Sequence, residues 1–316
     1  MQFSTTINIE KSKSSIDYHS KIFSIGSCFA VNMAQKLEYF KFKSTCNPFG
    51  ILFHPIAIEK FLRNSLEGKI YLEEDVFFAN ERFHHFDAHS DLSNSRLQEM
   101  LKNLNFNSQK SAEDLRSSTH IIITLGTAWV YRNIETEEII ANCHKVPQKN
   151  FTKEILSVDQ IFESLSSIEK LLHSHNPEAQ IIFTISPVRH IKDGIVENQR
   201  SKSHLFAALH QLLDLQTSKT EYFPSYEIMM DELRDYRFYA DDMLHPSNLA
   251  VEYIWESFLD RYCNQETLSV MKEVGRIQRG LAHRSFSADS EAHQKFLQGL
   301  QNKIMLFKQS YPHISF

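Results

Sequence analysis

The first candidate for chemistry is a short segment between an apolar run and a helical pattern. In KIFSIGSCFAVNMAQKLEYF, residues 21–40, the apolar run ends at Gly26, and Ser27 and Cys28 follow at once. A thiol or hydroxyl at a helix N-terminus lies beside free backbone N–H groups and the positive end of the helix dipole, and both stabilise an anion. The same N–H groups suit the oxyanion of a tetrahedral intermediate. Ser27 and Cys28 are therefore candidate nucleophiles for acyl transfer.

A carboxylate and an imidazole stand three residues apart late in the chain. In ADDMLHPSNLAVEYIWESF, residues 240–258, Asp242 and His245 precede a Pro-Ser pair that predicts a helix opening at Ser247. This spacing lets the carboxylate orient the imidazole, and an oriented imidazole can remove a proton from a nucleophile elsewhere in the fold. The structural alternatives are a capping or solvated role for Asp242 and a surface position for His245.

The pattern of apolar residues predicts an α/β fold that would position these side chains. Continuous apolar runs at 21–26, 120–126 and 180–186 predict strands buried on both faces, and 220–226 predicts a weaker fourth strand. Two β-rich runs around a polar tetrapeptide predict a hairpin within 128–143. Helical periodicity appears between the strands and in a charged tail, at residues 154–173, 200–215, 248–262 and 265–309. We therefore expect a mostly parallel sheet with helices on both faces, whose strands gather sites at their carboxyl ends.

Composition excludes several other classes of protein. The chain has 316 residues and a net charge of −5, with no basic stripe, so we predict no nucleic-acid partner. Its four cysteines are far apart and show no CxxC pairing, which argues against a zinc site or a disulfide framework and favours a reducing compartment. The histidine-rich segment at 84–89 lacks regular ligand spacing, so we predict no metal site. With no signal-peptide pattern and no apolar run long enough to span a bilayer, a cytoplasmic protein is predicted. No phosphate-cradling glycine loop appears, and no cofactor is predicted.

The two chemical segments together resemble a known group of enzymes. Residues 26–30, GSCFA, are the name-giving motif of the GSCFA family, and the strand–Gly–nucleophile and DxxHPS segments resemble the first and last blocks of the SGNH, or GDSL-like, hydrolases. Four other stretches also resemble the GSCFA family: NPFGILFHP (47–55), TLGTAWVY (124–131), NCHKVPQ (142–148) and SPVRH (186–190).

This resemblance implies a fold and an activity. It implies a flavodoxin-like three-layer α/β/α sandwich over residues 1–263, with the β-hairpin as an insertion and 264–316 as a C-terminal helical extension packed on it. It also implies an esterase or O-acyltransferase that acts on a small-molecule or saccharide ester through a Cys/Ser–His–Asp centre. Water as the acceptor gives an esterase, and a sugar hydroxyl gives an acyltransferase.

The match to the SGNH pattern departs at two positions. The first SGNH block reads Gly-Asp-Ser, and alignment on Gly26 places its nucleophile at Cys28; a loop one residue shorter would place it at Ser27. We favour Cys28, because the glycine and the strand end set the register. The third block reads Gly-x-Asn, but here Ala128 stands where the asparagine would donate to the oxyanion.

The missing asparagine leaves the oxyanion donor and the activity itself open. Side chains and N–H groups near the strand ends are candidates for oxyanion or substrate binding: Gly50, Thr127, Asn142, His144, Arg189 and His190. Turn formation is the alternative role for Gly50, and structural salt bridging is the alternative for Arg189 and His190. A non-catalytic carbohydrate- or peptide-binding module on a degenerate SGNH fold is the alternative function. The retained Asp242 and His245 argue against that alternative.

Overall fold

Parallel strands form the centre of the structure, a computed structural model that describes residues 5–215, 219–284, 286 and 289–316. The strands of the described residues are β1 Lys21–Gly26, β2 Lys43–Cys46, β3 Phe77–Ala79, β4 Arg82–His84, β5 His120–Leu125, β6 Trp129–Asn133, β7 Ile139–Ile140, β8 Phe151–Ile155, β9 Gln180–Ile185 and β10 Thr220–Phe223. Five of them form one parallel sheet in the order β10-β9-β5-β1-β2. Counted along the chain, this is the 2-1-3-4-5 order of flavodoxin-like sheets. The four predicted strands are confirmed.

Helices cover both faces of this sheet. They are α1 Cys28–Tyr39, α2 Pro55–Leu66, α3 Leu97–Ser117, α4 Val158–His175, α5 Ile195–Leu213, the single turn α6 Ser225–Glu227, α7 Asn248–Tyr262, α8 Gln265–Ala282 and α9 Glu291–Ser310. Helices α2 to α5 pack in one apolar core, and α1, α7 and α8 pack in a second. Alternate strand residues point to opposite faces, so Ile121 and Ile123 enter the first core and Ile122 the second. The predicted three-layer α/β/α sandwich is confirmed.

Several element boundaries differ from the prediction. Strand β8 pairs with β6, so the predicted hairpin is part of a three-stranded antiparallel sheet, β7-β6-β8. Helix α4 consequently begins at Val158 rather than at residue 154. Ser157 caps this start, because its hydroxyl accepts the N–H of Gln160. Strand β2 was not predicted, because its sequence, KSTC, contains no apolar run and its residues are only half-buried at the sheet edge.

The predicted helical tail is two helices rather than one. Met271 and Val274 of α8 lie in the second core, which attaches α8 to the sandwich. Helix α9 packs on α8 at Gly280, where an added Cβ would lie 2.8 Å from Leu300 Cδ1. Across the described ranges, we find no helix with the length and apolar composition that crossing a bilayer would need.

Candidate active site

A glycine shapes the corner between β1 and α1. Gly26 has φ +135°, and a Cβ at this position would lie 2.1 Å from the Thr124 carbonyl oxygen of β5. Its N–H donates to Asn47 Oδ1 at 2.8 Å, and the Ser27 N–H donates to the Thr124 carbonyl at 3.0 Å. The corner is thus held against β5 at a distance that excludes a side chain on residue 26.

The two candidate nucleophiles point in different directions from this corner. Ser27 is the N-cap residue of α1 and is 0% exposed, and its hydroxyl has no hydrogen-bond partner among the described residues. Its Cβ lies 3.1 Å from where a Cβ on Gly126 would stand, so it faces the end of β5. Cys28 is half-buried, and its Sγ lies 3.7 Å from His245 Nε2. The structure therefore brings Cys28, and not Ser27, to the imidazole.

A tight loop before α7 carries the carboxylate and the imidazole. The Ala240 N–H donates to the His245 carbonyl at 2.8 Å, the Met243 N–H donates to the Ala240 carbonyl at 2.9 Å, and Met243 has φ +57°. The Ser247 hydroxyl then accepts the Ala250 N–H at 3.3 Å and caps α7. These contacts fix the backbone on both sides of His245. The Pro-Ser pair predicted a helix opening at Ser247, and Ser247 is the residue that caps α7.

Asp242 orients His245 through the other ring nitrogen. Its Oδ2 lies 2.6 Å from His245 Nδ1, so in the neutral ring Nδ1 carries the proton and Nε2, which faces the sulfur, is the acceptor. Its Oδ1 accepts the N–H groups of Leu244 and His245 at 2.9 and 3.0 Å. These backbone N–H groups, and then the imidazole, lower the pKa of Asp242 to about 2. The carboxylate therefore stays charged at any pH at which an imidazole could act as a base.

The environment of the Cys28 sulfur favours the thiol at rest. Burial raises the pKa of Cys28, and the charge of Asp242 raises it further. The positive charge of Lys202 and the N–H groups of Cys28 and Phe29 at the helix N-terminus lower this pKa and partly offset the burial. A base must therefore take the proton when the sulfur reacts, and His245 Nε2 is in place to do so.

Lys202 also belongs to this region, although the sequence did not predict it. It lies in α5 and is 1% exposed, and burial lowers its pKa to about 7. A lysine within a helical pattern ordinarily belongs to a solvated face. The available signal was its register, because Lys202 stands on the same helical face as the buried Leu205, Leu209 and Leu212.

His190 and Arg189 flank the loop of His245 but have different surroundings. The His190 Nε2 atom is buried without a partner among the described residues, and its ring edge packs on Phe53 with centroids 5.5 Å apart. Burial, and then the charges of Lys202 and His245, lower the pKa of His190 to about 4, so the ring is neutral. The Arg189 guanidinium instead stacks on Tyr239, 4.1 Å from the ring centroid, and the backbone N–H of Arg189 donates to the Leu244 carbonyl at 3.2 Å.

Family models recognise most of the chain. The model of the GSCFA family matches residues 21–258, and that of the GSCFA domain protein C-terminal domain matches residues 274–316. The chain belongs to the GSCFA family. No curated protein matches it.

Solved structures that resemble this GSCFA chain have low sequence identity to it. An acetyl xylan esterase, Est2A, from the rumen bacterium Butyrivibrio proteoclasticus is 12% identical, with a TM-score of 0.41, and the alignment covers 80% of this chain and 65% of that one. A carbohydrate esterase family 3 protein from Talaromyces cellulolyticus is 12% identical, with a TM-score of 0.29 and coverage of 51% and 65%. A mutant acetyl esterase, solved with an acetate ion, is 9% identical, with a TM-score of 0.38 and coverage of 81% and 99%. The chain thus spans about two thirds of the length of the first two proteins.

Two of the predicted oxyanion donors in the GSCFA fold have other partners. The Gly50 N–H donates to the Asn47 carbonyl at 2.8 Å, within the turn that was its alternative role. The Thr127 hydroxyl lies 3.0 Å from Ser201 Oγ and accepts the Trp129 N–H at 3.0 Å. Both groups therefore stabilise local backbone.

The two candidates after the hairpin belong to a different cluster. Asn142 Oδ1 accepts the His144 N–H at 2.9 Å, and His144 Nε2 donates to the His85 carbonyl at 2.8 Å. The His144 ring packs on His84, with centroids 4.6 Å apart. These contacts give Asn142, His144 and the His84 ring structural partners. Among the residues that the structure describes, no group of three or more histidine, cysteine or acidic side chains is arranged to hold a metal ion.

Proposed function

We propose that this GSCFA protein transfers the acyl group of an ester through Cys28, His245 and Asp242. The observation that carries the proposal is the alignment of the three side chains, with Sγ 3.7 Å from Nε2 and Nδ1 2.6 Å from the carboxylate. Nucleophile, base and orienting carboxylate in this sequence of contacts form the arrangement that activates a nucleophile in unrelated folds. A Cys28–His245 distance somewhat longer than a catalytic contact is ordinary without substrate, because such contacts tighten when substrate binds.

The reaction proceeds in two halves. In the first, His245 Nε2 takes the thiol proton as the Cys28 sulfur bonds to the acyl carbon, and the same proton passes to the departing alkoxide as the ester C–O bond breaks. In the second, the incoming hydroxyl attacks the thioester, gives its proton to His245, and returns the sulfur as a thiol. Asp242 holds the Nδ1 proton throughout and stabilises the imidazolium that forms in each half.

Two groups are proposed to bind the oxyanion in place of the asparagine that Ala128 replaces. The first is the Cys28 N–H, in the first turn of α1, where helix N–H groups lack intrahelical partners. The second is His190, whose ring is neutral and whose buried Nε2 has no partner among the described residues. A neutral imidazole with its proton on Nε2 donates one hydrogen bond, which is what the missing amide would have supplied.

The substrate class and the acceptor follow from the resemblance to SGNH hydrolases. We propose a small-molecule or saccharide ester, with water as the acceptor in an esterase or a sugar hydroxyl as the acceptor in an acyltransferase. The sandwich over residues 1–263 holds the site, and 264–316 is the extension packed on it. A nucleophilic thiol must stay reduced, which agrees with the predicted cytoplasmic location.

Hydrolysis of short-chain aryl esters tests this function. Wild-type protein is expected to release the phenolate above background, His245→Ala to lose that activity, and His293→Ala, on helix α9 away from the site, to keep it. Adding a sugar or a polyol to the assay separates the two acceptors, because an acyltransferase forms a new ester while phenolate release continues.

The non-catalytic binding module is favoured by one observation, the alanine at position 128. It predicts that wild-type protein and His245→Ala both stay at background. Equal, substantial turnover by wild type and His245→Ala would contradict both functions.

A further inference from the structure

Arg189 is a partly buried arginine without an acidic partner. Four arginines of the described residues are partly buried, and the other three each pair with a glutamate: Arg63 with Glu59 at 3.0 Å, Arg132 with Glu154 at 2.6 Å and Arg261 with Glu221 at 2.9 Å. The Arg189 guanidinium makes no ion pair and no hydrogen bond with any residue that the structure describes. Structural salt bridging, the alternative role for Arg189, therefore does not explain its charge, and its five N–H donors are free for an anion.

Two tyrosines hold this guanidinium by its face. Its Cζ lies 4.1 Å from the ring centroid of Tyr239 and 5.4 Å from that of Tyr236, and the two rings are 5.6 Å apart. Tyr239 is buried, whereas Tyr236 is 62% exposed, so the stack runs from the interior to the surface. Stacking uses the flat face of a guanidinium and leaves the N–H groups at its edge available. The tyrosines thus fix the plane of the cation without satisfying its donors.

The stack is joined to the loop of the candidate site on both sides of the imidazole. The backbone N–H of Arg189 donates to the Leu244 carbonyl at 3.2 Å. Tyr239, on which the guanidinium lies, forms an antiparallel bridge with Pro246. Leu244 and Pro246 are the chain neighbours of His245, so the loop that presents the base also contacts the arginine and its tyrosine.

We propose that Arg189 binds an anionic group of the substrate, a carboxylate or a phosphate, and so selects negatively charged esters. Both groups offer paired oxygens that match two parallel N–H donors of a guanidinium. Arg189 is a specificity-determining residue in this role, since it exchanges no proton. The inference rests on the proposed function in one respect, that the ester reacts at Cys28 beside His245. It adds a charge to the substrate class, which for a saccharide ester means an acidic sugar.

The acidic residues of this region are already engaged elsewhere. Asp242 contacts His245 Nδ1 through Oδ2 and accepts the N–H groups of Leu244 and His245 at Oδ1. Asp231 pairs with Arg234 at 3.1 Å. The whole chain has a net charge of −5, which disfavours anions in general. A preference for a charged ester would therefore have to come from a local cation, and substitution identifies which one.

Hydrolysis of matched charged and neutral esters tests the selectivity. The pair p-acetoxybenzoate and p-acetoxybenzamide places the charge on the alcohol side, and the pair mono-p-nitrophenyl glutarate and p-nitrophenyl valerate places it on the acyl side. For at least one pair, Arg189→Gln is expected to lower the charged-to-neutral ratio of kcat/KM by about tenfold, mainly through KM, and Arg189→Lys by less, since it keeps the charge but not the paired donors. Arg237→Gln is the matched control, because Arg237 stacks on Phe238 but is exposed. The same ratios in active wild type and Arg189→Gln would overturn the inference.

Chemical modification of wild-type protein covers the case in which the Arg189 variants do not fold. Phenylglyoxal modifies accessible guanidinium groups, and mass spectrometry of the Arg189 and Arg237 peptides gives the two rates separately. We expect p-hydroxybenzoate, glutarate or inorganic phosphate to slow modification of Arg189 and not of Arg237, and neutral p-hydroxybenzamide to slow neither. An Arg189 rate that none of the three anions changes would refute the anion site.

The modification experiment also separates the inference from the proposed function, because it needs no ester turnover. Protection of Arg189 in a protein without esterase activity would sink the proposed function and keep the anion site. Ester turnover that depends on His245, with no charge preference and no protection of Arg189, would do the reverse.

Discussion

Replacing Ser27 by alanine separates the two candidate nucleophiles with opposite expectations. The Ser27 side chain is 0% exposed, and its hydroxyl has no partner among the described residues. An unsatisfied buried hydroxyl costs about 1–3 kcal/mol of desolvation, and alanine removes the hydroxyl while leaving in place the Cβ, which lies 3.1 Å from where a Cβ on Gly126 would stand. Ser27→Ala is therefore expected to be neutral or to raise the free energy of unfolding by about 1 kcal/mol. For a chain of this size that corresponds to a rise in Tm of about 1–3 °C.

The same substitution is expected to leave ester hydrolysis within about twofold of wild type, because Ser27 does not reach His245. Cys28→Ala should reduce hydrolysis to background, and Cys28→Ser should retain a fraction, since a hydroxyl at this position also lies beside the imidazole. Thermal unfolding and aryl-ester kinetics on the three variants give both quantities. Loss of activity in a stably folded Ser27→Ala, with activity kept in Cys28→Ala, would refute the register of the corner and make Ser27 the nucleophile.

Four further outcomes follow from the same geometry. Asp242→Asn should lower kcat about a hundredfold or more with little change in KM, measured on an aryl ester, because the imidazole loses its tautomer and orientation; an unchanged kcat would remove Asp242 from the site. His190→Leu should lower kcat by about a hundredfold, and His190→Gln should restore part of it, if the ring donates to the oxyanion; equal rates in both variants and wild type would contradict that role. Gly26→Ala should cost at least about 3 kcal/mol in urea unfolding, since its Cβ would lie 2.1 Å from the Thr124 carbonyl; a wild-type midpoint would contradict the close approach. Burial lowers the pKa of Lys202 from 10.5 to about 7, so between these pH values the unfolded state binds more protons than the folded state. The free energy of unfolding should therefore rise with pH across this window in wild type and should not do so in Lys202→Met.

The central strands were predictable from the sequence, because strands buried on both faces leave continuous apolar runs. β1, β5 and β9 are such strands, whereas β2 lies at the half-exposed edge and its short polar sequence gives no such signal. Helix α4 was predicted to begin too early, since the residues before Ser157 form β8 through pairing with β6, an earlier segment of the chain at Trp129–Asn133.

The contacts of the candidate site could likewise be predicted where they are local in the sequence and not where they join distant segments. Asp242 and His245 are three residues apart, so their contact is a property of one loop and its spacing predicts it. Lys202 could not be predicted as part of the site, because its partners, the carbonyls of Gly126 and Ser186, come from two other segments. The Gly50 N–H was predicted as an oxyanion donor because its own hydrogen bond is not visible in the sequence. Only the folded turn shows that it donates to the Asn47 carbonyl.

The most direct test of the account is to identify the residue that carries the acyl group during turnover. Wild-type protein would be mixed with an aryl acetate, quenched in acid and digested, and the acetylated peptide would be located by mass spectrometry. One acetyl group is expected as a thioester on Cys28, absent in His245→Ala and labile to hydroxylamine. Acetyl on Ser27, or rapid hydrolysis with no acetyl on either residue under a quench that preserves a thioester standard, would contradict it.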